Sequence, residues 1–255
     1  MAALLFLLCC CCTWAAIVFA HSRAVRIDCS AYFRPTNLSA PVESCNKRNI
    51  AVLGAGYSGT GFISHVLTNN NCDIGHETMH QCGTSAEFAH IFAAVRNPMD
   101  YWNSRNATQF NFISARSRAF GVDFTGENHT FLHAEVVERQ HPEFYWGNLS
   151  NDYRSLAIWV TYTEGALRKA SHWYQLEDLS NGVCEGTIVS KILQVAHLPV
   201  PDPVVVSTQR VNIHNPNHAS RAELWSSLRK RAYSSPRRMV LHHTERLAGA
   251  LGYTL

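Results

Sequence analysis

Residues 49–67, NIAVLGAGYSGTGFISHVL, form an apolar run, a cluster of glycines and a second apolar run with helical spacing. A strand, a glycine-rich turn and a helix in this order are typical of loops that bind phosphate. The first backbone N–H groups of a helix lack intrahelical acceptors and can face an anion. The stretch therefore predicts the first strand and helix of an α/β domain, with a phosphate site at the turn between them.

Three phosphate-binding motifs compete for this turn. Gly54, Gly56 and Gly59 satisfy the G-x-G-x-x-G pattern of dinucleotide-binding proteins, and Glu77 stands about 20 residues further on, where such proteins place an acidic residue. A nucleoside-triphosphate loop would need Lys at position 60 and Ser or Thr at position 61, and the chain has Thr60 and Gly61 there. A third class of phosphate loop ends in Ser-Gly-Thr, which is the sequence of residues 58–60.

The downstream chain alternates short apolar runs with helical patterns. Strands are predicted at 49–54, 72–77, 90–95, 171–179 and 203–209, and helices at 59–69, 155–170, 187–198, 220–231 and 236–250. This alternation predicts a parallel β-sheet with helices on both faces, a three-layer αβα sandwich spanning residues 49–255.

Two segments fall outside this alternation. Residues 21–48 are polar and irregular, which indicates a stem or N-terminal extension. Residues 107–150 are rich in Asn, Phe, Gly and His without a clean period, so they are predicted to be an inserted surface segment, such as a lid or an acceptor-binding region. The aromatic residues Phe131, Tyr145 and Trp146 would either stack on a sugar or form a small core of the insert itself.

The first 20 residues direct the chain to the secretory pathway. Residues 2–20 carry no charge, and small residues at Val18 and Ala20 suit signal-peptidase cleavage before His21. The same stretch is nearly long enough to remain as a membrane anchor. Both alternatives predict a lumenal, Golgi or secreted protein, and four N-glycosylation sequons agree with this location, at Asn37, Asn106, Asn128 and Asn148.

The positions of the cysteines and the net charge of the chain further limit the classes of protein to which it can belong. In an oxidising compartment Cys29 can pair with Cys45 and Cys72 with Cys82, which leaves Cys184 unpaired. The chain has no CxxC pair, and its 14 histidines are scattered, so no metal site is predicted. A net charge of +3 with 16% charged residues argues against a dedicated nucleic-acid binder.

The stretch VRNPMDYWNS, residues 95–104, supplies a second phosphate-binding signal. Arg96 follows the third predicted strand and Ser104 stands eight residues later. A guanidinium group offers a planar, multi-donor clamp to a phosphate, and a hydroxyl in the next helix adds a further donor.

With this second signal, residues 49–104 resemble the part of the sulfotransferase family that binds 3′-phosphoadenosine 5′-phosphosulfate (PAPS). YQLEDL at 174–179 and ERLAGALGY at 245–253 resemble the family's later strand and final helix more weakly. The resemblance implies a P-loop-like fold, PAPS as co-substrate, no metal, and transfer of a sulfuryl group to a hydroxyl acceptor, such as a carbohydrate.

The resemblance also implies a role for individual residues. Glu77 would be the catalytic base that takes the acceptor's proton, with His76 as the second choice. Tyr57 stands where many members of the family have Lys or Arg, and Arg210 and Asn212 lie in a segment that would replace a late nucleotide-binding loop. The remaining expected PAPS contacts are Ser58, Gly59, Thr60 and Gly61 to the 5′-phosphosulfate, and Arg96 and Ser104 to the 3′-phosphate.

Two alternatives to a sulfotransferase stay open from the sequence. A dinucleotide-dependent oxidoreductase would use the G-x-G-x-x-G loop with Glu77. A protein that kept the sulfotransferase fold but lost catalysis would be consistent with Tyr57, because a tyrosine brings no positive charge to the leaving phosphate oxygen.

Overall fold

The protein was analysed as a computed structural model, which describes residues 32–35, 48–55, 58–59, 62–63, 66–67, 74–76, 88–105, 127–180, 184–205 and 220–255. Its strands are β1 (Phe33–Pro35), β2 (Arg48–Leu53), β3 (Ile74–His76), β4 (Phe88–Val95) and β5 (His172–Gln175). Its helices are α1 (98–105), α2 (Glu127–Gln140), α3 (Asn151–Lys169), α4 (Leu176–Ser180), α5 (Glu185–Val195), α6 (Arg221–Lys230) and α7 (Ser235–Ala250). Short 3-10 turns occur at Pro142–Phe144 and Trp146–Asn148.

The five strands form one sheet in the order β1-β5-β4-β2-β3. Strands β3, β2, β4 and β5 run parallel to one another, whereas β1 runs antiparallel to β5 at the edge of the sheet. The α/β class predicted from the sequence is therefore confirmed, but the prediction of a purely parallel sheet is wrong at this edge. The antiparallel strand comes from the segment 21–48, which was predicted to be an extension outside the domain.

Alternate residues of the central strands face helices on opposite sides of the sheet, as strand geometry requires. Ile50 and Val52 of β2 pack in one cluster with the described helical residues 62–63 and 66–67 and with α5. Ala51 and Leu53 pack in another with Ala166 of α3. The helix that follows β2 and the helix α3 that precedes β5 thus lie on different faces of the sheet.

The largest apolar cluster lies among the helices. Helix α3 is buried along most of its length and packs with α2, α6, α7 and the two 3-10 turns. Residues 127–150 contribute Val137, Phe144 and Trp146 to this cluster, so in its described part the predicted surface insert is an integral piece of the core. Trp146 is buried there, whereas the adjacent Tyr145 is exposed. Phe131 is among the residues whose side chains are not described.

Several boundaries also differ from the sequence-based prediction. The strand predicted over 171–179 ends at Gln175, and the chain turns there into helix α4. The described first part of the strand predicted at 203–209 is not a strand. Helices α6 and α7 lie within one residue of their predicted positions, and α5 within three residues.

Two predictions about the N-terminus and the cysteines bear on location. Cys184 forms a disulfide, so the expectation that it stays unpaired is wrong; its partner lies outside the described residues. In the part of the chain that the structure describes, no helix combines the length and the apolar character needed to cross a bilayer. The predicted signal or anchor segment, residues 1–20, lies outside that part.

Candidate functional site

The sheet has a topological switch point between β2 and β4. The two strands are adjacent and in register, with Leu53 opposite Ala93. The helix after β2 packs in the cluster of Ala94, whereas α1, after β4, packs in the cluster of Val95, on the opposite face of the strand. In open α/β sheets, such a point leaves a crevice outside the carboxyl ends of the strands, where ligands bind. Ser58 and Gly59 follow β2, and Arg96 and Asn97 follow β4. We refer to these four residues as the switch-point edge.

On the β2 side, the chain makes a tight turn and enters a helix. The Ser58 N–H donates to the Ala55 carbonyl at 3.0 Å, and the Gly59 carbonyl accepts from the Ile63 N–H at 3.1 Å. Gly59 therefore occupies the N-cap position of this helix. Its φ of +80° is in the region that favours glycine, and a Cβ added there would overlap Cδ1 of Leu176.

On the β4 side, Asn97 caps helix α1. The Asn97 Oδ1 accepts from the Met99 N–H at 2.9 Å, and Pro98 occupies the first helical position, where no N–H is needed. The preceding carbonyl, that of Arg96, accepts a hydrogen bond from Trp159 Nε1 at 2.9 Å. These contacts fix the backbone of residues 96 and 97 against α3.

The first turn of α4 bridges the two sides of the edge. Leu176 packs against Gly59, while the adjacent Glu177 accepts a hydrogen bond from the Asn97 N–H at 2.8 Å through Oε1. The second oxygen of Glu177 accepts from the Tyr253 hydroxyl at 3.0 Å, which ties the C-terminal residues to the same place. Burial raises the pKa of Glu177, although these hydrogen bonds oppose the change.

Arg96 carries the positive charge among the four residues of the switch-point edge. Burial lowers the pKa of Arg96, and the nearby groups Asp100, Glu177 and Tyr253 oppose this shift, but a guanidinium group in a protein remains protonated. Asp100 is itself held by Arg221 in a two-pronged ion pair, with distances of 3.0 Å and 2.5 Å. Two guanidinium groups and two carboxyl groups thus surround the carboxyl end of β4.

Two buried donors at the edge lack hydrogen-bond partners among the described residues: the Ser58 Oγ and the Asn97 Nδ2. Because the Asn97 Oδ1 already accepts from Met99, the remaining atom of that amide is the donor. Buried polar groups are nearly always hydrogen-bonded, so these two donors, which follow two adjacent strands, are available to an acceptor such as a bound ligand.

The structure brings together part of the set predicted from the sequence. Ser58, Gly59 and Arg96 meet at the switch-point edge, and Ser104 is buried in α1, on the same helical stripe as Asp100. The backbone of His76 lies at the end of β3, paired with Val52 of β2. The other predicted contacts lie outside the described residues: Tyr57, Thr60, Gly61, Glu77, Arg210 and Asn212.

Sequence reasoning missed Asn97, Trp159 and Glu177 at this edge. A signal for Glu177 and Tyr253 was present, since they belong to the two stretches that resemble the sulfotransferase family weakly, YQLEDL and ERLAGALGY. Trp159 lies within a predicted helix and carries no motif, so its contact with the Arg96 carbonyl could be found only in three dimensions.

A second polar cluster lies on the helical side of the molecule. His141 Nδ1 lies 3.1 Å from Glu143 Oε1, and His243 Nε2 lies 3.5 Å from the same oxygen. His141 Nε2 lies 3.2 Å from Glu164 Oε2, in a poor geometry for a hydrogen bond, so we treat this contact as an ion pair. We refer to His141, Glu143, Glu164 and His243 as the histidine cluster.

Within the histidine cluster, His141 and Glu164 stabilise each other's charged forms, whereas His141 disfavours a charge on His243. Burial alone would lower the pKa of His141, but its contacts with Glu164 and Glu143 raise it. Burial would likewise raise the pKa of Glu164, but His141, Arg246 and Arg168 lower it. The pKa of His243 is lowered by burial and by the charge of His141.

Comparisons with protein-family models, with curated proteins and with solved structures find no match. The chemistry of the switch-point edge and the sequence motifs therefore carry the functional argument.

Proposed function

We propose that this protein is a sulfotransferase that moves the sulfuryl group of PAPS to a hydroxyl acceptor, on a carbohydrate, in the Golgi lumen or elsewhere in the secretory pathway. The observation that carries the proposal is the pair of buried, unsatisfied donors, Ser58 Oγ and Asn97 Nδ2, beside the guanidinium-bearing Arg96. Donors on both sides of one crevice suit a ligand with an anionic group at each end.

The two ends of PAPS have separate places at the edge. The helical turn closed by the Ile63 N–H on the Gly59 carbonyl has its positive dipole end at the loop, which suits the 5′-phosphosulfate. Arg96, with Ser104 further along α1, suits the 3′-phosphate. The remaining contacts of this P-loop-like site are assigned by resemblance: Tyr57, Thr60 and Gly61 in the loop, with Arg210 and Asn212 in the later segment.

The proposed reaction is an in-line displacement at sulfur. The acceptor oxygen forms a bond to sulfur while the bond from sulfur to the 5′-phosphate oxygen breaks, which releases adenosine 3′,5′-bisphosphate. The proton of the acceptor hydroxyl passes to Glu77 or, as the alternative, to His76; His76 ends β3 beside β2, and Glu77 is the next residue in the sequence. Positioning and hydrogen bonding supply the catalysis, as in phosphoryl transfer.

The strand order weighs against the oxidoreductase alternative. In the classic dinucleotide order, the third strand of the chain lies beyond the second, away from the first. Here β4, the strand after β3, pairs directly with β2 instead. The described order of parallel strands is that of flavodoxin-like sheets, whose ligand also binds at the switch point between the first and third strands.

Thermal stabilisation by nucleotides separates these two functions. We expect adenosine 3′,5′-bisphosphate to raise the melting temperature and NAD to leave it unchanged, because ligand binding to the native state stabilises it. Stabilisation by NAD without stabilisation by the bisphosphate would exclude the sulfotransferase.

The Asn97→Asp substitution tests the carrying observation with almost no change in shape. Asp caps a helix as well as Asn, so α1 should remain folded, but the donor Nδ2 becomes a carboxylate oxygen that repels an anion. Loss of one charge-assisted hydrogen bond and the new repulsion should weaken bisphosphate binding by about 100-fold in calorimetry. Asn151→Asp, at the exposed start of α3, is the matched control and should bind normally. Equal affinity of both variants would contradict the assignment.

A catalytically inactive relative would still bind the nucleotide, so transfer must be measured as well. Labelled PAPS and a panel of glycan acceptors should give transfer by the wild-type protein and little transfer by Glu77→Gln. Binding without transfer to any acceptor would support the inactive alternative. Transfer that Glu77→Gln leaves intact would move the role of base to His76.

A further inference from the structure

The histidine cluster joins segments that are far apart in the chain. His141 and Glu143 belong to the first 3-10 turn and the residue before it, and His243 lies on α7, about 100 residues later. His141 is almost buried, with 8% of its side chain exposed, whereas Glu143 and His243 expose 36% and 18%. Solvent ions can therefore reach the cluster from one side.

The donor atoms of these three residues have the spacing of a metal-binding site. One nitrogen or oxygen atom from each of His141, Glu143 and His243 lies within 4.8 Å of the other two. Zinc–nitrogen and zinc–oxygen distances near 2.1 Å in a tetrahedral arrangement place neighbouring ligand atoms about 3.4 Å apart. The observed separations from Glu143 Oε1, 3.1 Å to His141 Nδ1 and 3.5 Å to His243 Nε2, bracket that value.

We propose that His141, Glu143 and His243 bind a zinc ion. Two imidazole nitrogens and one carboxylate oxygen form a ligand set that zinc prefers over magnesium or calcium, which favour oxygen ligands. Three protein ligands leave the fourth position of the tetrahedron to a water molecule.

Glu164 has the place of a carboxylate that orients a metal-binding histidine. With His141 Nδ1 on the metal, the opposite nitrogen, Nε2, keeps its proton and faces Glu164 Oε2 at 3.2 Å. Metal-binding histidines usually donate this second N–H to a carboxylate or a carbonyl, and a small rotation of the His141 ring on metal binding would turn the present ion-pair contact with Glu164 into such a hydrogen bond. Glu164 is in turn held by Arg246 at 3.1 Å and Arg168 at 3.7 Å.

The zinc ion would act as a clamp between α7 and the 3-10 turn. Both elements already pack in the large helical cluster, where Phe144 stacks on His141 and meets the edge of His243. Because the metal binds the folded arrangement of ligands and not the separated ones, its binding free energy adds to the stability of the fold. From the sequence no metal site was predicted, because these three ligands are not grouped at a fixed local spacing.

The test uses the full secreted protein without a polyhistidine tag, stripped with a chelator and then dialysed free of it. Calorimetry should give one zinc ion per chain, and zinc should raise the melting temperature while magnesium does not. His243→Gln should weaken zinc binding by at least about 100-fold, and Glu164→Gln by about 10-fold. The adjacent and exposed His242→Gln is the matched control and should bind as the wild type does.

Circular dichroism establishes that each variant is folded, and Glu143→Gln, on the surface turn, serves as a second ligand variant if His243→Gln does not fold. Three results would overturn the proposal: no zinc binding by the wild type, zinc binding that the ligand variants retain, or equal stabilisation by magnesium. The cluster would then be an ion-pair network and nothing more.

Discussion

The switch-point edge and the histidine cluster are both polar and largely buried, but they offer opposite chemistry. The edge presents donors: a hydroxyl, an amide, a guanidinium group and the start of a helix. The cluster presents the lone pairs of two imidazoles and a carboxylate around one point. The first set is suited to an anion and the second to a cation.

The two sites also differ in which part of the chain builds them. At the edge, the backbone is decisive, through the positive φ of Gly59 and the carbonyl of Arg96 held by Trp159. At the cluster, side chains from three separate elements meet. Changes to the backbone near β2 should therefore affect only the edge, and this difference can be tested.

The largest effect on stability is expected for Gly59→Ala. The left-handed conformation costs a residue with a Cβ about 1–2 kcal/mol, and overlap with Leu176 adds a packing cost of about 1–3 kcal/mol. The free energy of unfolding, measured with urea, should therefore fall by about 2–5 kcal/mol, and bisphosphate binding should be lost. Zinc affinity of the folded fraction should not change.

Gly249→Ala is the matched control for this substitution. Gly249 lies in α7, and a Cβ added there would meet no atom within 4 Å. Alanine is the better helix former, so this variant should gain up to about 1 kcal/mol. Equal losses for the two variants would show that the conformation of Gly59 has no special role.

A smaller effect is expected when the Arg96 carbonyl loses its donor. Trp159→Phe leaves a buried carbonyl without its hydrogen bond, which should cost about 1–3 kcal/mol of unfolding free energy and weaken bisphosphate binding. Trp102→Phe is the comparison, because the buried Trp102 Nε1 has no acceptor among the described residues. Trp102→Phe should therefore lower the unfolding free energy less than Trp159→Phe does. A larger loss for Trp102→Phe would contradict the role given to Trp159.

The smallest effect is a dependence of stability on pH that arises from Asp178, in helix α4. Burial raises the pKa of Asp178 to about 6 from 3.8, while Arg34 opposes the shift and Glu177 adds to it. Because the folded state favours the protonated carboxyl, this residue supports stability most at low pH, and the contribution is lost as the pH rises through about 6.

Asp178→Asn stays neutral, so its unfolding free energy should fall less between pH 4 and pH 7 than that of the wild type. At pH 7 the variant should be more stable by on the order of 1 kcal/mol. The exposed Glu138→Gln on α2 should keep the wild-type pH profile. Identical profiles for Asp178→Asn and the wild type would contradict the raised pKa.

The α/β class, β2 and β4 and most helices were predictable because their signals are local. An apolar run before glycines, and another before Arg96-Asn97-Pro98, each indicate a buried strand by their own composition. The same local signals predicted Ser58, Gly59 and Arg96 as site residues, because each lies shortly after one of these two strands in the sequence.

What could not be predicted depends on contacts between distant residues. The edge strand β1 is three residues long and exists through its pairing with β5. Among the described side chains of helix α2, only Val136 and Val137 are buried and apolar, so this part of the sequence resembles a surface segment. Trp146 is buried because of the helices that surround it. The histidine cluster draws on positions 141 to 243, and no spacing rule connects them.

The most direct test of the sulfotransferase proposal is the preference for a 3′-phosphate. Calorimetry should show that the wild type binds adenosine 3′,5′-bisphosphate more tightly than adenosine 5′-monophosphate, by about 10- to 100-fold, the range of a charge-assisted contact. Arg96→Lys keeps the charge but loses the planar clamp, so this preference should largely disappear, while the exposed Arg139→Lys on α2 retains it. Equal affinity of the wild type for both nucleotides, or an unchanged preference in Arg96→Lys, would contradict the proposed PAPS site.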